Sequence, residues 1–239
     1  MTDVGIGTAI VAYIEAQPGQ ARAFNRWYER DHMYAATTAG PGAFAGARWV
    51  ATRACKAVRP RAAEWFGDPA RGSFLTTVWV LDGCQTEWEA WVGRQMESLR
   101  TQGDRMFAGR DHLYTAVYRF AGEVSAEGGP AAATALDRPF DGVIAMAVEA
   151  GGGENAAETV VGPELPVAAR FTVERVIMAE VEVPPFDLVL GFTAGDPIDA
   201  WHARVDPALA SLPNLGFASP FIRTIPGTDS YIEDLEGPA

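Results

Sequence analysis

Apolar residues in the first half of the chain follow two patterns, one typical of strands and the other of helices. Short stretches rich in β-branched and aromatic residues predict four strands, at 6–16, 44–52, 73–81 and 112–120. Apolar side chains recur every three or four positions in two further segments, which predicts helices at 19–38 and 86–99. The order β-α-β-β-α-β is that of a split βαβ, or ferredoxin-like, unit.

A weaker copy of the same order follows in the second half. Strands are predicted at 141–149, 171–182, 186–193 and 216–225, and a helix at 196–212. The first helix of this copy should fall within 151–169, but three consecutive glycines and two prolines there oppose a long helix. We therefore divide the chain into a ferredoxin-like unit at 1–124, a linker at 125–140 and a degenerate unit at 141–239.

Charge separates the two halves. The 239 residues carry a net charge of −12, but residues 1–124 hold 14 basic and 13 acidic side chains, whereas residues 125–239 hold 5 and 18. Such an acidic chain repels phosphate backbones, so nucleic acid is not an expected partner. We expect no membrane span, because no apolar run approaches the roughly 20 residues required. With no signal-peptide pattern, a cytoplasmic location is expected.

The segment 23–34, AFNRWYERDHMY, concentrates candidate chemistry on the first predicted helix. Trp27 and Tyr28 each lie one helical turn before an ionisable residue, Asp31 and His32 respectively. Imidazole beside large aromatic rings is typical of pockets for apolar organic molecules. The alternative is a structural histidine at a helix C-terminus, where a positive charge is favoured.

Two such units in one chain resemble the dimeric α/β-barrel superfamily, and FNRWYERDHM is similar to the first helix of EthD-like and antibiotic-biosynthesis-monooxygenase-like members. The resemblance implies an α+β fold of two tandem ferredoxin-like units that pack sheet to sheet as an intrachain α/β barrel around a cavity. It also implies a cyclase, isomerase or cofactor-free monooxygenase of secondary metabolism that acts on an aromatic or polyketide-like compound.

The candidate catalytic residues on this interpretation are His32, Tyr28 and Asp31. We expect His32 to move a proton and Tyr28 to donate a hydrogen bond to a developing oxyanion. Asp31 adjoins His32 in sequence but points about 100° away from it on a helix. The candidate substrate-binding residues are large aromatic ones expected to line the cavity: Trp27, Trp79, Tyr13, Tyr114 and Tyr118.

The sequence gives no sign of a cofactor or a metal site. It has no dinucleotide-binding or phosphate-binding glycine motif, and its three histidines lack carboxylates at metal-ligand spacing. Two alternatives remain open, a non-catalytic carrier or sensor of an apolar ligand and a haem-binding protein. The expected partner is a small apolar ligand, and the chain is expected to be a monomer or homodimer.

Two further features have alternative interpretations. Asp111-His112-Leu113-Tyr114 echoes Asp31-His32-Met33-Tyr34, but in a split βαβ unit the two histidines are expected to be far apart. The excursion at 53–72 is rich in arginine. It is either a lid that attracts an anionic substrate or a surface that docks on the acidic second half, and the charge asymmetry favours docking.

Overall fold

The computed structural model describes residues 5–61, 64–101, 105–137, 139–212 and 214–236; Arg138 of the predicted linker lies outside these ranges. Within them the fold is α+β, with eight strands and six α-helices. The strands are β1 (Ile6–Ala16), β2 (Ala43–Val50), β3 (Phe74–Leu81), β4 (Arg110–Ser125), β5 (Gly142–Glu149), β6 (Val167–Ala179), β7 (Phe186–Thr193) and β8 (Leu215–Arg223). All the predicted strands are present, and β4 is longer than predicted.

The helices are α1 (Ala21–Trp27), α2 (Arg53–Ala57), α3 (Gln85–Thr101), α4 (Gly153–Val160), α5 (Pro197–Ala200) and α6 (Ile232–Glu236). The first predicted helix continues beyond α1 in two π-helical turns, Tyr28–His32 and Tyr34–Thr38. The predicted helix at 196–212 likewise becomes π-helical and then 3₁₀-helical after α5, with Pro207 in the 3₁₀ part. Within the described ranges, no helix combines the length and hydropathy needed to cross a bilayer.

The strands form one closed antiparallel barrel in the order β1-β3-β2-β8-β5-β7-β6-β4. Each half contributes four adjacent strands, and their order agrees with that of a ferredoxin-like sheet. The two sheets join edge to edge at two seams, and their inner faces enclose a common core. β4 pairs with β6 from Tyr114 to Ser125, and β2 meets β8 at Trp49 and Val50. Closure pairs the sheet edges that would otherwise remain open.

Aromatic side chains fill the inside of the barrel. Because side chains alternate along a strand, every second residue of each strand points inward, and the largest are fully buried: Trp49, Trp79, Phe171, Phe192 and Phe221. The ring centroids of Trp79 and Phe171 are 5.1 Å apart. The barrel interior is therefore a packed core.

The excursion between β2 and β3 covers one end of the barrel and docks on the second half. Arg59 is buried and donates hydrogen bonds to Ser219 Oγ and to carbonyl oxygens of its own segment. Phe66 enters the core against Phe186 and Phe217. Arg71 forms an ion pair with Glu180 at 2.6 Å. The excursion therefore docks on the second half, through aromatic packing and the hydrogen bonds of Arg59 as well as through the ion pair of Arg71.

The C-terminal segment returns to the first half and covers α1. Asp229 accepts hydrogen bonds at 2.7 Å from both Arg22 and Arg26. Tyr231 is buried, and its hydroxyl donates to Asn25 Oδ1 at 2.8 Å. These contacts fix the helical segment that leads into the aromatic and histidine residues of the candidate site.

Candidate functional site

A cavity of about 330 Å³ lies outside the barrel, between the outer face of β1 and β4 and the helices that cover it. Its lining is mostly apolar: Ile10, Ala12, Ala36, Val92, Met96, Met106, Ile177 and Met178. Its polar lining residues are Tyr28, His32, Thr37, Arg100, Arg110, His112 and Thr115. A few polar groups in an apolar concavity of this size are typical of small-molecule sites.

The two π-helical turns and α3 form the helical wall of this cavity. The Trp88 indole N–H on α3 donates to the Thr37 carbonyl at 3.0 Å, which ties the two helical segments together. The Thr37 hydroxyl donates to the Met33 carbonyl at 2.6 Å. Single π-helical turns are rare and frequently mark functional sites. His32 ends the first of them.

His32 is buried among aromatic rings, with 8% of its surface exposed. Its imidazole stacks on Trp27 with centroids 4.2 Å apart and meets the edge of Tyr28 at 5.1 Å. Among the described residues, Nδ1 has no hydrogen-bond partner. Burial, and then the neighbouring Arg110 and His112, lower the pKa of His32 to about 3. The ring is therefore neutral near pH 7.

His112 holds Arg110 on the strand wall. Arg110 Nε donates to His112 Nε2 at 3.1 Å, so this nitrogen carries a lone pair and the proton sits on Nδ1. Nδ1 then donates to Thr115 Oγ1 at 2.8 Å. Burial, and then Arg110, lower the pKa of His112 to about 4, which agrees with a neutral ring. The Arg110 guanidinium also lies 4.7 Å from the centroid of Trp27.

Comparison with solved structures finds similar folds at low sequence identity. An anthrone oxidase-like protein aligns with a TM-score of 0.56 and 11% identity over 92% of this chain and 92% of that one. A chlorite dismutase-like protein aligns with a TM-score of 0.50 and 9% identity over 97% and 98% of the two chains. The chain has the dimeric α/β-barrel fold. No protein-family model and no curated protein matches the sequence. At such identities the likeness shows the fold alone, and it agrees with the α+β barrel that the resemblance implied; the tandem arrangement of two ferredoxin-like units stays a prediction.

The expectation that His32 and His112 lie far apart within a split βαβ unit is wrong, because both line the same cavity. The helical segment runs on to Thr38, so His32 lies inside it and not at its end. β4 begins at Arg110, opposite the end of β1, and its first side chains enter the layer between the sheet and that segment. The two histidines of this repeated sequence pattern are thus close together in the structure.

The other two candidate catalytic residues have partners away from the cavity. The Tyr28 hydroxyl lies near Thr76, and burial raises the pKa of Tyr28, so the phenol is neutral. The Tyr28 ring also contacts the Arg48 guanidinium at 4.5 Å. Asp31 forms an ion pair with Arg105, as its position on the helix suggested, and does not line the cavity.

The candidate binding residues fall on both sides of the sheet. Trp27 packs directly on His32. Trp79, Tyr13, Tyr114 and Tyr118 belong to the buried core inside the barrel, on the face opposite to the cavity. Tyr13 donates its hydroxyl to the Arg71 carbonyl at 3.0 Å. The expectation that one chamber contains all five aromatic residues and His32 is therefore wrong, because the barrel interior and the cavity are separate layers.

The sequence reasoning missed Arg110 and the methionines of the cavity. Arg110 lies two residues before His112, and this spacing places both on one face of β4. Met96 belongs to the apolar stripe that predicts the helix at 86–99, and such a stripe does not distinguish a cavity wall from ordinary packing. Ile177 and Met178 come from the second half, so only the seam between β4 and β6 brings them to this cavity.

Proposed function

We propose that the barrel consists of two tandem ferredoxin-like units, residues 1–124 and 141–239, and that the first carries an active site. Two observations support the tandem arrangement: each half supplies four adjacent strands, and the element order within each half is the same. The second half keeps a first helix of eight residues only, α4. Its principal contribution to the proposed site is the wall formed by the end of β6.

We further propose that the chain is an enzyme that acts by proton transfer on a small, apolar, aromatic or polyketide-like compound. The observation that carries this proposal is the buried imidazole of His32, whose Nδ1 lacks a partner among the described residues while the ring lines an apolar cavity. A neutral imidazole that lines such a cavity is suited to accept a proton from a bound ligand through the ring nitrogen that faces it. The neighbour described as anthrone oxidase-like fits this substrate class.

The low pKa of His32 determines when its imidazole can accept a proton from the ligand. A base with a pKa of about 3 is weak in the empty cavity. Negative charge that develops on the ligand beside the ring would favour the imidazolium and raise this pKa. Arg110 is a stronger partner for that charge than Tyr28, because it is cationic whereas the Tyr28 phenol is neutral. Proton transfer is therefore coupled to ligand binding.

The test uses anthrone as a trial substrate and follows oxygen uptake together with the formation of anthraquinone and water. We expect turnover by the wild-type chain and its loss in His32→Gln, with a melting temperature close to that of the wild type. His202→Gln is the matched control, because His202 is exposed and pairs with Asp206 on the surface. A His32→Gln variant that is folded and fully active would exclude proton transfer by His32.

The carrier or sensor alternative also has support, since a histidine that stays neutral to about pH 3 is suited to bind without reacting. It predicts that anthrone quenches tryptophan fluorescence, through Trp27, but that no product forms. The haem alternative remains a prediction, which hemin titration tests through the appearance of a Soret band in the wild type and its absence in His32→Gln.

A further inference from the structure

Arg110 brings a positive charge into the cavity, and no carboxylate of the described residues balances it. Its side chain is partly buried, and within the described ranges it forms no ion pair. Its hydrogen bond uses Nε and ends on the neutral imidazole of His112, and its face rests on Trp27. Burial lowers the pKa of Arg110, which shows that the surroundings penalise the charge. A guanidinium in this situation is stabilised by any anion that reaches it.

The rest of the cavity has the same sign of charge. Arg100 lies at its exposed side, and no aspartate or glutamate is among the described residues that line it. The nearby carboxylates are engaged elsewhere: Asp31 pairs with Arg105, and Asp111 pairs with Arg71 at 2.9 Å. The cavity therefore combines an apolar wall with a net positive charge, although the chain as a whole is acidic.

We propose that the cavity binds a ligand with an apolar body and one ionised oxygen, a carboxylate or a phenolate, and that Arg110 binds this oxygen. His112 is the positioning residue of Arg110. The proposal rests on the proposed function in that it concerns the same cavity and the same apolar ligand, but it requires no turnover. It narrows the substrate class from apolar compounds in general to those with an acidic group.

The hydrogen bonds show how His112 positions the guanidinium. His112 accepts from Nε only, which leaves the two terminal nitrogens of Arg110 for a planar anion. Thr115 fixes the tautomer that makes this possible, because it receives the Nδ1 proton. Protonation of His112 would remove the acceptor and place a second positive charge against Arg110.

The experiment compares 2-naphthoate with 2-naphthamide, a neutral probe of nearly the same shape, by isothermal titration calorimetry at pH 7. We expect the wild-type chain to bind naphthoate about 10- to 100-fold more tightly than naphthamide, as a charge-assisted hydrogen bond allows. Arg110→Gln should reduce naphthoate affinity to that of naphthamide and leave naphthamide affinity within about twofold. Arg119→Gln, on the exposed face of the same strand, is the control for net charge.

A second titration distinguishes a phenolate oxygen from a carboxylate oxygen as the group that Arg110 binds. 2-Naphthol is titrated at a pH below and at a pH above the ionisation of its hydroxyl, and binding that strengthens only above it assigns a phenolate. Tight binding of naphthoate alone assigns a carboxylate. Equal affinity of the wild type for naphthoate and naphthamide, together with no strengthening of naphthol binding on ionisation, would overturn the proposal.

The positioning role is tested by His112→Leu and His112→Gln. The leucine variant lacks an acceptor and should lose most of the preference for naphthoate, whereas the glutamine amide oxygen can accept from Nε and should restore it. If both variants keep the wild-type preference, His112 does not position Arg110. Loss of turnover in His32→Gln with an unchanged naphthoate preference would separate the proton-transfer proposal from this one.

Discussion

Acidification should destabilise this protein through two of its histidines, His32, which is buried, and His112, which is half-buried. His32 and His112 have pKa values lowered to about 3 and about 4, against 6.5 for a free imidazole. At a pH between the lowered pKa values and 6.5, each of the two histidines is protonated in the unfolded chain but neutral in the folded chain. The stability contributed by the neutral rings is therefore fully present above about pH 6.5 and is lost as the pH falls towards 4.

The size of this loss of stability follows from the thermodynamic linkage between proton binding and unfolding. A full proton difference changes the unfolding free energy by about 1.4 kcal/mol per pH unit. From pH 7 to pH 5 each of the two histidines should cost about 2 kcal/mol, because both stay neutral in the folded state while their unfolded counterparts become mostly protonated. Together they amount to about 4 kcal/mol, a large fraction of a typical folding free energy.

The assay is urea denaturation at pH 7, 6 and 5, followed by tryptophan fluorescence, for the wild type and for the double variant His32→Gln/His112→Gln. The double variant should lose most of the pH dependence that the histidines cause, while acidic residues contribute equally to both proteins. His202→Gln keeps the imidazoles of His32 and His112 and should retain the wild-type slope. Its histidine is exposed on the surface beside Asp206.

Direct titration gives the decisive result. With three histidines in the chain, the ring Cε1–H signals can be assigned by NMR from the same variants. We expect two of them to remain in the neutral form down to pH 5. If the signals of His32 and His112 titrate near 6.5, or if the double variant keeps the full pH dependence, the argument from burial and Arg110 is refuted.

Four further substitutions test the fold. Gly72→Ala should cost more than about 3 kcal/mol in urea denaturation, because φ is +80° and a Cβ would lie 1.9 Å from the Tyr13 ring. Gly67→Ala, with φ +84° and no atom within 4 Å, should cost only about 1 kcal/mol; equal losses would contradict the role of the clash. Phe192→Ala removes a fully buried ring from the barrel core and should cost about 3–5 kcal/mol by the same assay. Asp229→Asn should cost about 1 kcal/mol, and the cost should shrink in high salt if the ion pairs with α1 are its cause.

The sequence was sufficient to predict the elements, and for some of them the boundaries. Residues 6–16 and 186–193 form strands with the predicted limits, because β-branched residues and flanking turn residues agree there. The extension of β4 to Ser125 was missed, since its pairing with β6 is long-range and leaves no local signal. The π-helical turns were missed for the same reason: their side-chain periodicity remains close to that of an α-helix.

The candidate site could be predicted only in part. Alternation along 73–81 shows which residues share a face, but both faces of β3 are buried, so the pattern cannot tell the barrel interior from the helix layer. Trp79 was therefore placed with His32, although the sheet separates them. Arg110 carries no local motif, and its importance follows from the absence of a described carboxylate partner, which only the folded arrangement shows.

The seam between β4 and β6 makes the shape of the cavity depend on both halves of the chain. Ile177 and Met178 reach the cavity from the second half, whereas the imidazoles and the guanidinium come from the first. Substitutions at 177 and 178 can therefore reshape what fits without touching any ionisable group. In such a chain the shape of the cavity and its ionisable groups can change independently of each other in evolution.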